Sequence, residues 1–111
     1  MEKLDGKKLY NITLKNGGYT ANPKNRYSVA VKNVSQLHKN NKEKIIGIID
    51  SMLDQDLSFG LWLNEEDENI YIDIINTYKS EQKAIEVGRK NMELSIYDLE
   101  DEKVIWINYS K

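Results

Sequence analysis

Residues 41–75, NKEKIIGIIDSMLDQDLSFGLWLNEEDENIYIDII, change their hydrophobic period part-way along, and that change decides the fold. From Asn41 to Gln55 the apolar residues Ile45, Ile46, Ile48, Ile49, Met52 and Leu53 recur at the spacing that lines one face of a helix. Asn40 or Asn41 is placed to cap the first turn. Gly47 interrupts the pattern at a cost of about 1 kcal/mol relative to alanine, which points to close packing against a neighbour. Beyond it the period falls to two. Leu57–Leu63 and Ile70–Ile75 are rich in β-branched and aromatic residues and read as two strands of a hairpin, joined by Asn64–Asn69, a connector too charged to be buried. In the second strand Ile70, Ile72 and Ile74 face one way while Tyr71, Asp73 and Ile75 face the other.

Working towards the N-terminus, Tyr19–Ala21 and Tyr27–Val31 flank Asn22-Pro23-Lys24-Asn25, a basic turn in which proline presets one position and asparagine tolerates positive φ. These segments read as another hairpin. Leu9–Leu14 reads as a short edge strand ended by Asn16-Gly17-Gly18, and the polar residues 1–8 as a frayed end. Towards the C-terminus, Ser80 caps a second helix reaching Asn91, with Ala84, Ile85, Val87, Gly88 and Met92 as its apolar stripe. Leu94–Tyr97 and Val104–Tyr109 then make a last pair of strands around the acidic turn Asp98–Glu102. The order ββαββαββ predicts an α+β domain over residues 1–111: a mostly antiparallel sheet with two helices packed on one face. Trp62 and Trp106 fall in its strands, where core packing is the expected role and exposure would make either an interface anchor.

The chain of 111 residues is 40% apolar with a single proline, enough to build one core unaided. Cysteine is absent, which removes disulfides, thiolate zinc sites and a cysteine nucleophile together and fits a reducing cytoplasm. The longest apolar run, Ile45–Ile49, is too short to span a bilayer, and Met1–Asp5 lacks the apolar core of a signal peptide. Charge is uneven. Residues 1–44 hold ten Lys/Arg against three Asp/Glu, and residues 45–111 hold six against fifteen. That division predicts a basic face and an acidic face.

No catalytic signature emerges. Gly17-Gly18 precedes a strand rather than a helix, so no phosphate-cradling loop forms there. His38, the only histidine, lies in a polar stretch and reads as a solvated side chain. The carboxylates Glu65, Glu66, Asp67 and Glu68 and, in the later turn, Asp98, Glu100, Asp101 and Glu102 lack the spacing of a calcium loop, so no metal or cofactor is expected. Asp73, mid-strand, needs an exposed face or a partner, because an unpaired buried carboxylate is costly. Tyr19, Lys24, Arg26 and Tyr27 interleave aromatic and basic groups, the chemistry that stacks bases and pairs with phosphates.

Gly17–Pro23, Tyr27–Val31, Phe59-Gly60-Leu61-Trp62 and Ile70–Asp73, followed by Ala84-Ile85 and Gly88, together resemble small accessory proteins carried by phages and plasmids of Gram-positive bacteria. The resemblance covers residues 17–99. It departs where the family often has a glutamine-containing segment and this chain has Asn91-Met92-Glu93. It implies a mobile-element role, and small acidic proteins of that kind are often inhibitors of host defence, anti-CRISPR proteins included.

The expected activity is therefore non-enzymatic: occlusion of a host nuclease or CRISPR effector complex, the two acidic turns imitating nucleic-acid phosphates against a basic groove. The alternative is direct nucleic-acid binding through Tyr19, Lys24, Arg26 and Tyr27. A third reading, an enzyme centred on Asp73, would require a pocket with a second titratable group beside it.

Overall fold

The chain, described over residues 4–109 in a computed structural model, runs α1 (Gly6–Asn16), β1 (Gly18–Ala21), β2 (Tyr27–His38), α2 (Lys42–Asp54), β3 (Phe59–Leu63), β4 (Asn69–Tyr78), α3 (Glu81–Lys90), β5 (Ser95–Asp98) and β6 (Lys103–Trp106). The architecture is α+β. All six strands join one antiparallel sheet in the order β1-β3-β4-β2-β5-β6. The β3–β4 and β5–β6 hairpins form where the alternation places them. Helices α2 and α3 lie within the expected bounds, and Ser80 caps α3 by accepting from the Lys83 amide.

Directly opposed residues of an antiparallel ladder share a face. Phe59 opposes Ile74, Leu61 opposes Ile72, and Tyr27 opposes Tyr78, so these side chains all point to the same side of β4. That side holds the core, in two clusters. In the first, Leu9 and Tyr10 of α1 and Ile45, Ile49 and Met52 of α2 cover Phe59, Leu61, Ile70 and Ile72. In the second, Ala84 of α3 packs with Tyr27, Val29, Ile96 and Ile107. Each large side chain buried this way contributes roughly 1.5–3 kcal/mol. Three helices, not two, therefore cover one face.

The added helix is α1, where alternation predicts an edge strand and a frayed end. Its two termini explain why helix wins. The Asp5 carboxylate accepts from the Lys8 amide at 2.9 Å, and Gly17, at φ 90°, donates its N–H back to Thr13 O at 2.8 Å. Leu9, Tyr10 and Thr13 then share one helical face and are buried, whereas a strand would have turned Leu9 and Tyr10 to opposite sides. The Gly6 amide also donates to Asp50 Oδ1 at 2.7 Å, tying the start of α1 to α2.

The predicted hairpin between Tyr19–Ala21 and Tyr27–Val31 is absent. β1 pairs with β3 and β2 with β4, so two strands separate the segments. Their connector crosses the ends of those strands: Asn22 donates to Leu57 O, Ser58 donates to Asn22 O, and the Asn25 amide donates to Thr77 Oγ1. A proline–asparagine turn reads the same to a local pattern whether its flanks pair with each other or with strangers.

Three smaller expectations also fail. Gly47 packs against nothing, since an added Cβ meets open space. Met92, left-handed at φ 61°, lies beyond α3 and is exposed rather than part of its stripe. Trp62 and Trp106 are not core residues, because both point away from the helices and are 54% and 71% exposed.

Candidate binding face

Among the described residues the second face of the sheet carries no helix, and on β3, β4 and β2 it presents a group of side chains bonded to one another. One cross-strand row is Trp62, Tyr71 and Gln36; the next is Gly60, Asp73 and Asn33. The Trp62 and Tyr71 ring centroids stand 5.3 Å apart at a tilt of 48°, a geometry that aromatic quadrupoles favour. Beside them Asn33 Nδ2 donates to Asp73 Oδ1 at 2.8 Å and Gln36 Nε2 donates to Asn33 Oδ1 at 3.2 Å. Asp73 therefore has the partner that a mid-strand carboxylate needs. Two register shifts in β2, between Ala30 and Lys32 and between Asn33 and Ser35, bring both amides onto this face. Sequence reading misses Asn33 and Gln36 for that reason. The only warning is the loss of alternation from Lys32 to Gln36.

The turn from Asn64 to Asn69 continues directly from the aromatic pair. Tyr71 Oη donates to Asp67 Oδ2 at 2.8 Å, which raises the phenol above its ordinary pKa. Glu68 pairs with Lys39 at 3.0 Å and faces His38 Nε2 at 3.5 Å; the Lys39 contact holds the Glu68 carboxyl below its usual value. Glu65 and Glu66 are exposed, and among the described residues neither carboxylate forms an ion pair. Asp67 is exposed too and has only the neutral Tyr71 hydroxyl and Asn69 amide as partners, so among the described residues Glu68 alone of the four acids is ion-paired.

The second acidic turn is built differently. Asp98 is 1% exposed and takes Arg26 Nε and Nη2 on its two oxygens at 2.8 and 2.9 Å, with the Glu100 and Asp101 amides donating to Oδ1. The Arg26 hydrogen bonds hold Asp98 far below the carboxylate range although burial opposes them, and Arg26 is raised in turn. Arg26 also reaches Glu100 and Asp101, each at 3.2 Å, and lies 5.0 Å over the Tyr27 ring. Residues of the acidic and the basic candidate interfaces are thus bonded to one another. Glu102 is exposed at the tip of the turn.

Nor do the two turns form one patch. β4 and β5 both run antiparallel to β2, hence parallel to each other. The turn before β4 and the turn after β5 therefore leave opposite ends of the sheet. Within the basic set, Tyr27 belongs to the second core cluster, Tyr19 packs against the first, Arg26 is ion-paired, and Lys24 is exposed.

Burial raises the Glu93 carboxyl, and the charge of Asp73 adds to that. One surface depression is lined by Lys24, Asn25 and Thr77, and another, lined by Lys32, Asn33, Ile48, Gln55 and Ile74, reaches Asn33 of the polar group. Among the described residues no set of three or more His, Cys, Asp or Glu is placed to hold a metal ion, and no helix is long and apolar enough to cross a membrane. Comparisons with family models, curated proteins and solved structures find no match.

Proposed function

We propose that this chain is a binding protein that occludes a basic, nucleic-acid-handling surface on a host defence nuclease, a CRISPR effector complex being one such target. The observation that carries the reading is the exposed Trp62, tilted against Tyr71, with the acidic turn Asn64–Asn69 joined to that pair by the Tyr71–Asp67 hydrogen bond. Tryptophan and tyrosine are the side chains most enriched where binding energy concentrates, and neighbouring carboxylates steer a basic partner toward them. The Asp73–Asn33–Gln36 chain fixes polar groups beside that anchor, so little ordering remains to be done on binding. The resemblance to mobile-element accessory proteins supports the choice of target. Direct nucleic-acid binding has less support, because Arg26 is consumed by three carboxylates and Tyr27 lies in the core.

The test is interference in a Gram-positive host whose CRISPR nuclease targets a marked plasmid. Expression of the chain should restore transformation, and Trp62→Ala should abolish the rescue without unfolding the protein, because the side chain is outside the core. Glu65→Gln with Glu66→Gln should slow association with the purified effector, most at low salt. No rescue by the wild type, or retention of the wild type on DNA that weakens steeply with salt, would overturn the proposal.

A further inference from the structure

The exposed apolar side chains are unevenly spread. Met92, Leu94, Val104, Trp106 and Tyr109 all fall in the last fifth of the chain, around β6. β6 is a terminal strand, and among the described residues nothing pairs with its outer edge. Chains usually blunt such an edge with proline, a bulge or outward charge. β6 has no proline, its register with β5 is regular, and its one charged residue, Lys103, is drawn toward Asp101. After Trp106 the chain turns inward, with the Ile107 amide on Leu94 O, Arg89 on Asn108 O and the Tyr109 hydroxyl on Glu93 O, so this segment leaves the edge bare. The opposite terminal strand, β1, is half-buried or buried throughout.

We infer that β6 pairs antiparallel with β6 of a second copy, joining the two sheets into one across a two-fold axis at Ile105. A two-fold axis on a residue of β6 keeps each sheet's bare face on the same side, and the axis on Ile105 is the one that sets the exposed Val104 and Trp106 against each other. With Ile105 opposite its own counterpart, Val104 faces the partner's Trp106 and Trp106 faces the partner's Val104. The exposed apolar residues of each strand then cover each other. Lys103 falls beyond the end of the partner's β6, so no like charges meet within the paired strands. Shifting the axis to Val104 would instead set Glu102 against the partner's Trp106.

Sedimentation equilibrium of the full chain at about 100 μM, a concentration at which micromolar self-association is nearly complete, should give twice the monomer mass. V104K/W106K sets lysines against lysines and should sediment as a monomer with an unchanged circular dichroism spectrum. V104E/W106E should do the same. An equimolar mixture of these two variants should recover the doubled mass, because each lysine now meets a glutamate. A monomeric wild type, a V104K/W106K variant that remains dimeric, or a mixture that stays monomeric would each overturn the pairing. The inference does not depend on the binding role of Trp62, and Trp62→Ala should leave the doubled mass intact.

Discussion

Asp98 shows how one side chain can mislead a charge count and yet anchor an architecture. In the sequence it is the first of a run of acids, indistinguishable from Glu100 or Glu102, and nothing local marks it as buried. Its partner is 72 residues away, since Arg26 sits just before β2 and Asp98 ends β5. Because the folded-state pKa of Asp98 is depressed, its stabilisation is fully present above the unfolded value of about 3.9 and is lost as pH falls below it. Asp98→Asn should therefore lower the melting temperature at pH 7 by roughly 5–10 °C. The difference between variant and wild type should shrink steadily below about pH 4. Melting curves between pH 2 and pH 7 check this; a constant difference would mean that the carboxylate's charge is irrelevant. Asp73 was easier to read. A mid-strand acid among isoleucines predicts an exposed face or a partner, and Asn33 supplies the partner.

Among the elements, α2, α3 and the β3–β4 hairpin were legible because a period of 3.6 or 2 persists in each for long enough to be counted. α1 was not, since Leu9–Leu14 satisfies both periods over six residues and the decision passes to Asp5 and Gly17 at its ends. Two glycines separate the contributions of packing and propensity. A Cβ on Gly6 would stand 2.5 Å from the Ile46 carbonyl oxygen of α2, so Gly6→Ala must push α1 away and should cost about 1–3 kcal/mol. A Cβ on Gly47 meets nothing, and Gly47→Ala should stabilise the protein by about 0.5–1 kcal/mol through helix propensity alone. Urea titrations of both variants decide the matter. Equal signs would show that the crossing of α1 over α2 is wrongly placed.

For the molecule as a whole, the α+β class and the single-sided helical layer were readable in the order of elements, while the strand order was not. Pairing across the sheet depends on which strands the Asn22–Arg26 connector and the two helical crossovers bring together, and a local pattern carries no record of that. The candidate binding face was half legible: Trp62 and Asp73 stood out in the sequence, whereas Asn33 and Gln36 join them only through the irregularities of β2. One feature of the sheet also governs how it comes apart. β2 meets β4 along nearly its whole length but meets β5 only at Tyr27 and Ser28, so the β5–β6 hairpin is held by two residue pairs, the second cluster and the Arg26–Asp98 bond. With only the Leu99 amide on Arg26 O and Arg89 on Asn108 O besides, such a unit should open on its own before global unfolding, and the amides of Ile96 and Ile105 should exchange with deuterium faster than those of Ile70 and Ile72. In Asp98→Asn that gap should widen at Ile96 while the rates at Ile70 and Ile72 stay coupled to global unfolding. Uniform exchange across all six strands would mean that the sheet opens only as a single cooperative body.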